Sequence, residues 1–136
     1  MKFFMNTYLI IQLMMNGLYT ILLLILSNIF MTFAWYGHLK LQQSGVSSNW
    51  PLIGVIAFSW LIAFFEYCCQ VPANRIGFIA NGGPYSLVQL KVIQECVSLI
   101  VFAVMSTLMF QGESLHWNHA LAFLMLIAAV YLVFMK

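Results

Sequence analysis

The sequence predicts an all-α membrane protein, a four-transmembrane-helix antiparallel bundle, and three observations carry that prediction. The 136 residues are 64% hydrophobic and 6% charged with a mean hydropathy of +0.99, whereas globular chains are about one-quarter charged. Four apolar stretches have the roughly 20-residue length that a hydrocarbon core demands, separated by short polar or Gly/Pro connections. Tryptophan and tyrosine gather at the ends of these stretches, where their amphipathic rings suit the headgroup level.

The charge-free run from Phe3 to Gly37 is too long for a core helix and too short for two spans, so it holds one transmembrane helix and a lead-in. The first span is placed at about residues 18–36, closing at Gly37, with His38 and Lys40 marking the exit and LQQSGVSSN a polar loop. Residues 1–17 form the lead-in, read as interfacial or as a helix extension. Lys2 followed by an apolar stretch resembles a signal peptide, but no small-residue cleavage site follows, which favours an uncleaved anchor. Met14 and Met15 offer alternative start sites.

Residues 18–136 then make one four-helix transmembrane domain. The second span covers about residues 50–69, with Asn49 as N-cap, Pro51 near the first helical position and Pro72 as the stop. Asn81-Gly82-Gly83-Pro84 is a turn-forming cluster before the third span, at about residues 86–110. The fourth covers about residues 117–134, with Lys136 at the far interface.

Trp35, Trp50 and Trp117 fall at one end of the bundle and Tyr19, Tyr67, Tyr85 and Tyr131 at the other, the end shared by both termini. Lys2, Arg75, Lys91 and Lys136 lie toward the terminal end and only Lys40 toward the other, so the positive-inside rule places both termini in the cytoplasm of a multi-pass protein of the cell (inner) membrane.

Chemistry is confined to few residues. Glu66, Arg75, Lys91 and Glu95 are half of all the Asp, Glu, Lys and Arg residues. Ser59, Ala63, Glu66 and Gln70 share one face of the second helix, and Lys91, Gln94, Glu95 and Ser98 share one face of the third. Asn28, Thr32 and Trp35 make a weaker stripe in the first. A lone ionised carboxylate in hydrocarbon costs several kcal/mol, so Glu66 and Glu95 require partners. Lys91 and Glu95 can pair within one helix at i,i+4, for about 0.2–0.5 kcal/mol. A pairing across helices instead leaves one carboxylate free to bind a proton or a cationic ligand.

The bland alternative is that these four residues snorkel to headgroups and fix helix registry. It is favoured for Arg75 and Lys91, and about evenly weighted for the two acids, which contribute little to topology. Cys68, Cys69 and Cys96 lack metal-ligand spacing and read as buried structural thiols. The methionines read as gap-filling packing, and the histidines as interfacial. No basic patch exists to hold nucleic acid, and no nucleophile and base stand at usable spacing, so neither an enzyme nor a cofactor is expected.

Taken in order, FMTFAWYGHLK, SWLIAFFEY, QVPANRIG, QLKVIQE and the late Trp117-Asn118 resemble the small four-helix membrane proteins of the DMT family, in the drug/metabolite transporter superfamily, from about Leu22 to Trp117. The resemblance implies a four-span inner-membrane protein and, by analogy with small multidrug-resistance proteins, a transporter. Those relatives resemble one another in an essential carboxylate on the first helix, where this chain has Asn28 and no acid.

The reading is therefore a small secondary transporter or exporter of a small organic solute, working as a homodimer in the lipid bilayer. Glu66 and Glu95 would carry proton or cation coupling, with Arg75 and Lys91 as charge partners and Gln94 and Asn28 as polar lining. The alternative is a non-transporting scaffold or partner-docking module whose polar cluster fixes helix registry.

Overall fold

A computed structural model describes residues 1–110, 112 and 114–135. The apolar stretches become helices because a helix satisfies its own backbone hydrogen bonds where water is absent. Helix α1 (Lys2–Thr32) continues through a π-helical turn (Phe33–Gly37) into α2 (His38–Gln43), making one rod of 42 residues. Helices α3 (Leu52–Gly77), α4 (Leu87–Met109) and α5 (Trp117–Phe134) complete four helical segments long and apolar enough to cross a membrane. The protein is an all-α membrane protein.

The arrangement is a row more than a closed ring. Helix α1 packs along α3 on one side and α4 on the other, and α5 lies chiefly against α4. Helices α3 and α4, although consecutive long helices in the chain, meet only marginally, so a cleft opens between them over α1. No residue of α5 is buried, which leaves its sides to lipid or to another copy.

Buried Gly17, Thr20, Leu24, Ser27 and Asn28 trace one face of α1, and Glu66, Ala73 and Gly77 trace the answering face of α3. The contact is close because its residues are small: a Cβ on Gly77 would stand 2.7 Å from Thr20 Cγ2 and 2.8 Å from its Oγ1. Near mid-span, Phe30 of α1 stacks on Phe65 of α3, ring centroids 6.0 Å apart.

Helix limits differ from the sequence reading in three places, the first being that α3 starts at Leu52 with Pro51, and not Asn49, as its N-cap. Gly37 keeps right-handed helical angles inside the π-helical turn, so the rod passes Gly37, His38 and Lys40 and stops only where Gly45 turns left-handed at φ 84°. Pro72 does not stop α3, which runs on to Gly77. Proline deletes one helical hydrogen bond and crowds the preceding turn, but the buried Ala73 and Gly77 lock the following turns against α1. Tertiary packing outweighs the local penalty.

Side-chain placement brings further corrections. Cys68 is exposed while Cys69 and Cys96 are half-buried, and all three are free. Adjacent helical residues point about 100° apart, so Cys68 and Cys69 cannot both face the core. Met1, Met5, Met14, Met15, Met125 and Met135 lie on the exterior rather than filling gaps. Trp35 is exposed, away from the buried face that holds Asn28 and Thr32.

Residues 1–15 are exposed throughout as the straight extension of α1. At about 1.5 Å per residue the whole rod is about 63 Å long, twice a hydrocarbon core. Lys136, expected at the far interface, lies outside the described residues.

The α3–α4 connection is knitted by its own backbone. Tyr85 N–H donates to Gly77 O at 2.9 Å, Ile79 N–H to Tyr85 O at 2.8 Å and Gly83 N–H to Phe78 O at 2.9 Å. Ser86 and Gln89 then form a reciprocal capping box that starts α4. A Cβ on Gly83 would collide with the backbone of Ile76 and Gly77, which cannot swing aside as a flexible side chain can. Gly83→Ala and Gly77→Ala should each destabilise the protein by about 1–3 kcal/mol or more through overpacking. Gly54→Ala, whose Cβ meets only Pro51 at an ordinary 3.7 Å, should be neutral or stabilising in the same thermal-unfolding assay in detergent.

Candidate functional site

Glu66 occupies the α1–α3 seam with 1% of its surface exposed. It lies about 21 Å of helix from Leu52 and about 16 Å from Gly77 at 1.5 Å per residue, near the middle of α3 and not within two turns of its end. The extension of α3 through Pro72 creates that depth, because a span ending at about residue 69 would leave Glu66 only about one turn from its end.

Ser27 of α1 donates its hydroxyl proton to Glu66 Oε1 at 2.9 Å in a fully buried hydrogen bond. Glu66 Oε2 is buried and has no hydrogen-bond partner among the described residues. The only salt bridge among the described residues joins Lys91 and Glu95, so Glu66 is without a counter-ion. An acidic group at the centre of a membrane helix costs about 2.5–3.5 kcal/mol on insertion scales, and a single neutral donor offsets only part of this.

The rest of the α1 polar stripe satisfies itself. Thr20 Oγ1 donates to Asn16 O at 2.7 Å, Asn28 Nδ2 to Leu24 O at 2.7 Å and Thr32 Oγ1 to Asn28 O at 2.8 Å. Asn28 is therefore a buried neighbour of Ser27 bonded within its own helix, and Ser27 reaches the acid. Sequence reasoning missed Ser27, although its spacing of seven from Thr20 and its place beside Asn28 in an otherwise apolar run were available signals.

Glu95 does not join Glu66. It pairs with Lys91 one turn earlier on the outer surface of α4, with side-chain exposures of 53% and 67%. The two acids expected as one cluster are thus separated, one internal and unpaired, the other external and neutralised. Arg75, Lys91 and Gln94 come together elsewhere, around a cavity of about 350 Å³ at the terminal end of the α3–α4 cleft. A mainly apolar cavity of about 460 Å³ lies between α4 and α5, with Tyr36, Ser106, Thr107 and His119 in its wall, and does not include Glu66.

The π-helical turn at Phe33–Gly37 follows directly on this buried stretch of α1. Such turns recur at functional sites in helices, and this one rotates Tyr36 toward α4, where it meets Phe102 at 5.3 Å between centroids.

The family described as "Putative member of DMT superfamily (DUF486)" matches residues 20–134, nearly the whole membrane domain and every residue of the Ser27–Glu66 pair, the Lys91–Glu95 pair and Arg75. The chain belongs to this DMT-superfamily family. That description links the family to the DMT superfamily and agrees with the four spans, while leaving the solute and any coupling ion unassigned. No curated protein and no solved structure matches the chain significantly.

Because Ser27 supplies the one hydrogen bond to the buried acid, Ser27→Ala should leave both Glu66 oxygens without a partner and cost about 1–3 kcal/mol. Thr32→Ala, which removes only a bond within its own helix, should cost less. Paired thermal-unfolding curves of the two variants check the ordering.

Proposed function

We propose that the protein is a small secondary transporter or exporter of an organic solute, in which Glu66 is the proton- or cation-coupling carboxylate. The observation that carries this is the burial of Glu66 near mid-span with one oxygen unpartnered and no counter-ion among the described residues. A group held so poorly satisfied is unfavourable for a purely structural role. It is suited to exchanging one partner for another, such as a proton, a cationic solute or water, as the helices rearrange.

Ser27 acts in this proposal as the fixed donor that holds Oε1 while Oε2 remains the exchanging atom. Cys69, three residues on, lies on the same side of α3. Glu95 is assigned to neutralising Lys91, leaving coupling to Glu66 alone. The missing acid of the first helix, in comparison with small multidrug-resistance proteins, is made good by an acid on α3 that the first helix contacts through Ser27.

The open row of helices supports a working homodimer, since α3 and α4 leave a cleft and α5 has no buried side. A second copy would supply the walls that four helices lack. Both termini are assigned to the cytoplasm of the inner membrane on the distribution of Lys and Arg.

The second reading, a scaffold whose buried polar pair fixes registry, draws on the same Ser27–Glu66 bond. Flux separates the two. In proteoliposomes carrying a pH gradient, a panel of small organic solutes should reveal gradient-driven transport by the wild-type chain. Glu66→Gln should reduce it by at least about a hundredfold, as expected when a coupling group is removed, and Glu95→Gln should retain most of it. If Glu66→Gln transports normally, Glu66 is not the coupling carboxylate; if the wild-type chain moves no solute and Glu66→Gln only lowers its melting temperature, the scaffold reading holds.

A further inference from the structure

The residues around the terminal end of the α3–α4 cleft carry a function that the coupling carboxylate does not use. Arg75, about two and a half turns beyond Glu66 on α3, is exposed and has no carboxylate within salt-bridge distance among the described residues. It faces two cavities. One, of about 350 Å³, is shared with Asn74, Asn81, Lys91 and Gln94; the other, of about 580 Å³, is shared with Asn16 and Asn81. Asn81 Nδ2 donates to the Arg75 carbonyl at 3.2 Å, tying the start of the α3–α4 connection to the arginine's backbone.

The composition of this wall is one-sided. It holds two cations and several amides, and no acid among the described residues lines either cavity. Glu95 partners Lys91 from outside the cavity, so the local excess is close to one positive charge, carried by Arg75. A planar guanidinium with forked N–H donors is suited to a phosphate or carboxylate. The other walls are apolar: Val71, Phe78, Leu87 and Leu90. Because α3 and α4 scarcely touch, the cavity opens sideways between two membrane spans.

We infer that this cavity is a binding site for the phosphodiester headgroup of an anionic phospholipid, with the phosphate held between Arg75 and Lys91 and an acyl chain lying against Val71, Leu87 and Leu90 in the α3–α4 cleft. Phosphate is also available as a free solute, but the apolar walls and lateral opening fit a lipid. The site is independent of the transport reading: it uses neither Glu66 nor Ser27 and stands whether or not the protein moves a solute.

The test uses the full chain in a neutral detergent, stripped of lipid, with binding followed by native mass spectrometry and by the shift in melting temperature. Dioctanoyl phosphatidylglycerol should bind and raise the melting temperature, and dioctanoyl phosphatidylcholine should bind at least about fivefold more weakly, the scale of one basic contact. Arg75→Gln should remove that preference. Lys40→Gln, at the opposite end of the bundle, should keep it. Because Arg75 is exposed, loss of the fold is not expected, and an unaltered circular dichroism spectrum would confirm it.

Equal binding of the two lipids by the wild-type chain, or an unchanged preference in Arg75→Gln, overturns the site. Glycerol phosphate, which has the anion without the chains, should compete at least about tenfold less well than the anionic lipid. Equal competition would show a site for free phosphate and overturn the lipid assignment.

Discussion

The close approach of α1 and α3 is the constraint from which most of this structure follows. It depends on small residues in register: Thr20 lies over Gly77, and Ser27 meets Glu66 further along the seam. In a membrane, helices gain nothing from hiding apolar surface from one another, so packing and interhelical hydrogen bonds must hold them. The seam supplies both. It also explains how α3 passes Pro72, why Glu66 comes to lie deep, and why the α3–α4 connection folds tightly back over Gly77 and Gly17.

Much of the fold was legible in the sequence because the bilayer imposes simple rules. Four stretches of spanning length, Gly82 and Gly83 at a turn and Ser86 before α4 all declare themselves through hydropathy or backbone chemistry. What could not be read was how far α3 extends, since Pro72 is a breaker by local rules and its survival depends on contacts with a helix more than forty residues earlier in the chain. The depth of Glu66 inherited that difficulty. Helical periodicity could place Glu66 and Glu95 on stripes of their own helices, yet it could not say which stripe faces α1 and which faces outward. That rotation is settled by the packing of small residues, to which a polar pattern is blind. Ser27 was hidden for a related reason: a lone serine in an apolar run is common, and only the partner across the seam distinguishes it.

The charged residues divide into three environments with different chemical prospects. Lys91 and Glu95 neutralise each other on the outer surface. Arg75 stands without an acid at the rim of a cavity with apolar walls, a setting that selects for an anion. Glu66 is enclosed with a neutral hydroxyl, a setting that, on the proposed function, suits a proton or a cation. An acid inside and a base at the rim, about two to three turns apart on α3, give one helix two sites of opposite preference.

The central claim is that Glu66, and not Glu95, is the reactive carboxyl of the membrane interior. Modification with a hydrophobic carbodiimide, which enters from lipid and whose central carbon is attacked by protonated carboxyl groups held in apolar surroundings, tests it directly when the adduct is located by peptide mass spectrometry. The account predicts an adduct on Glu66 with Glu95 left unmodified. Preferential modification of Glu95, with Glu66 unreactive under conditions that label it, would contradict it.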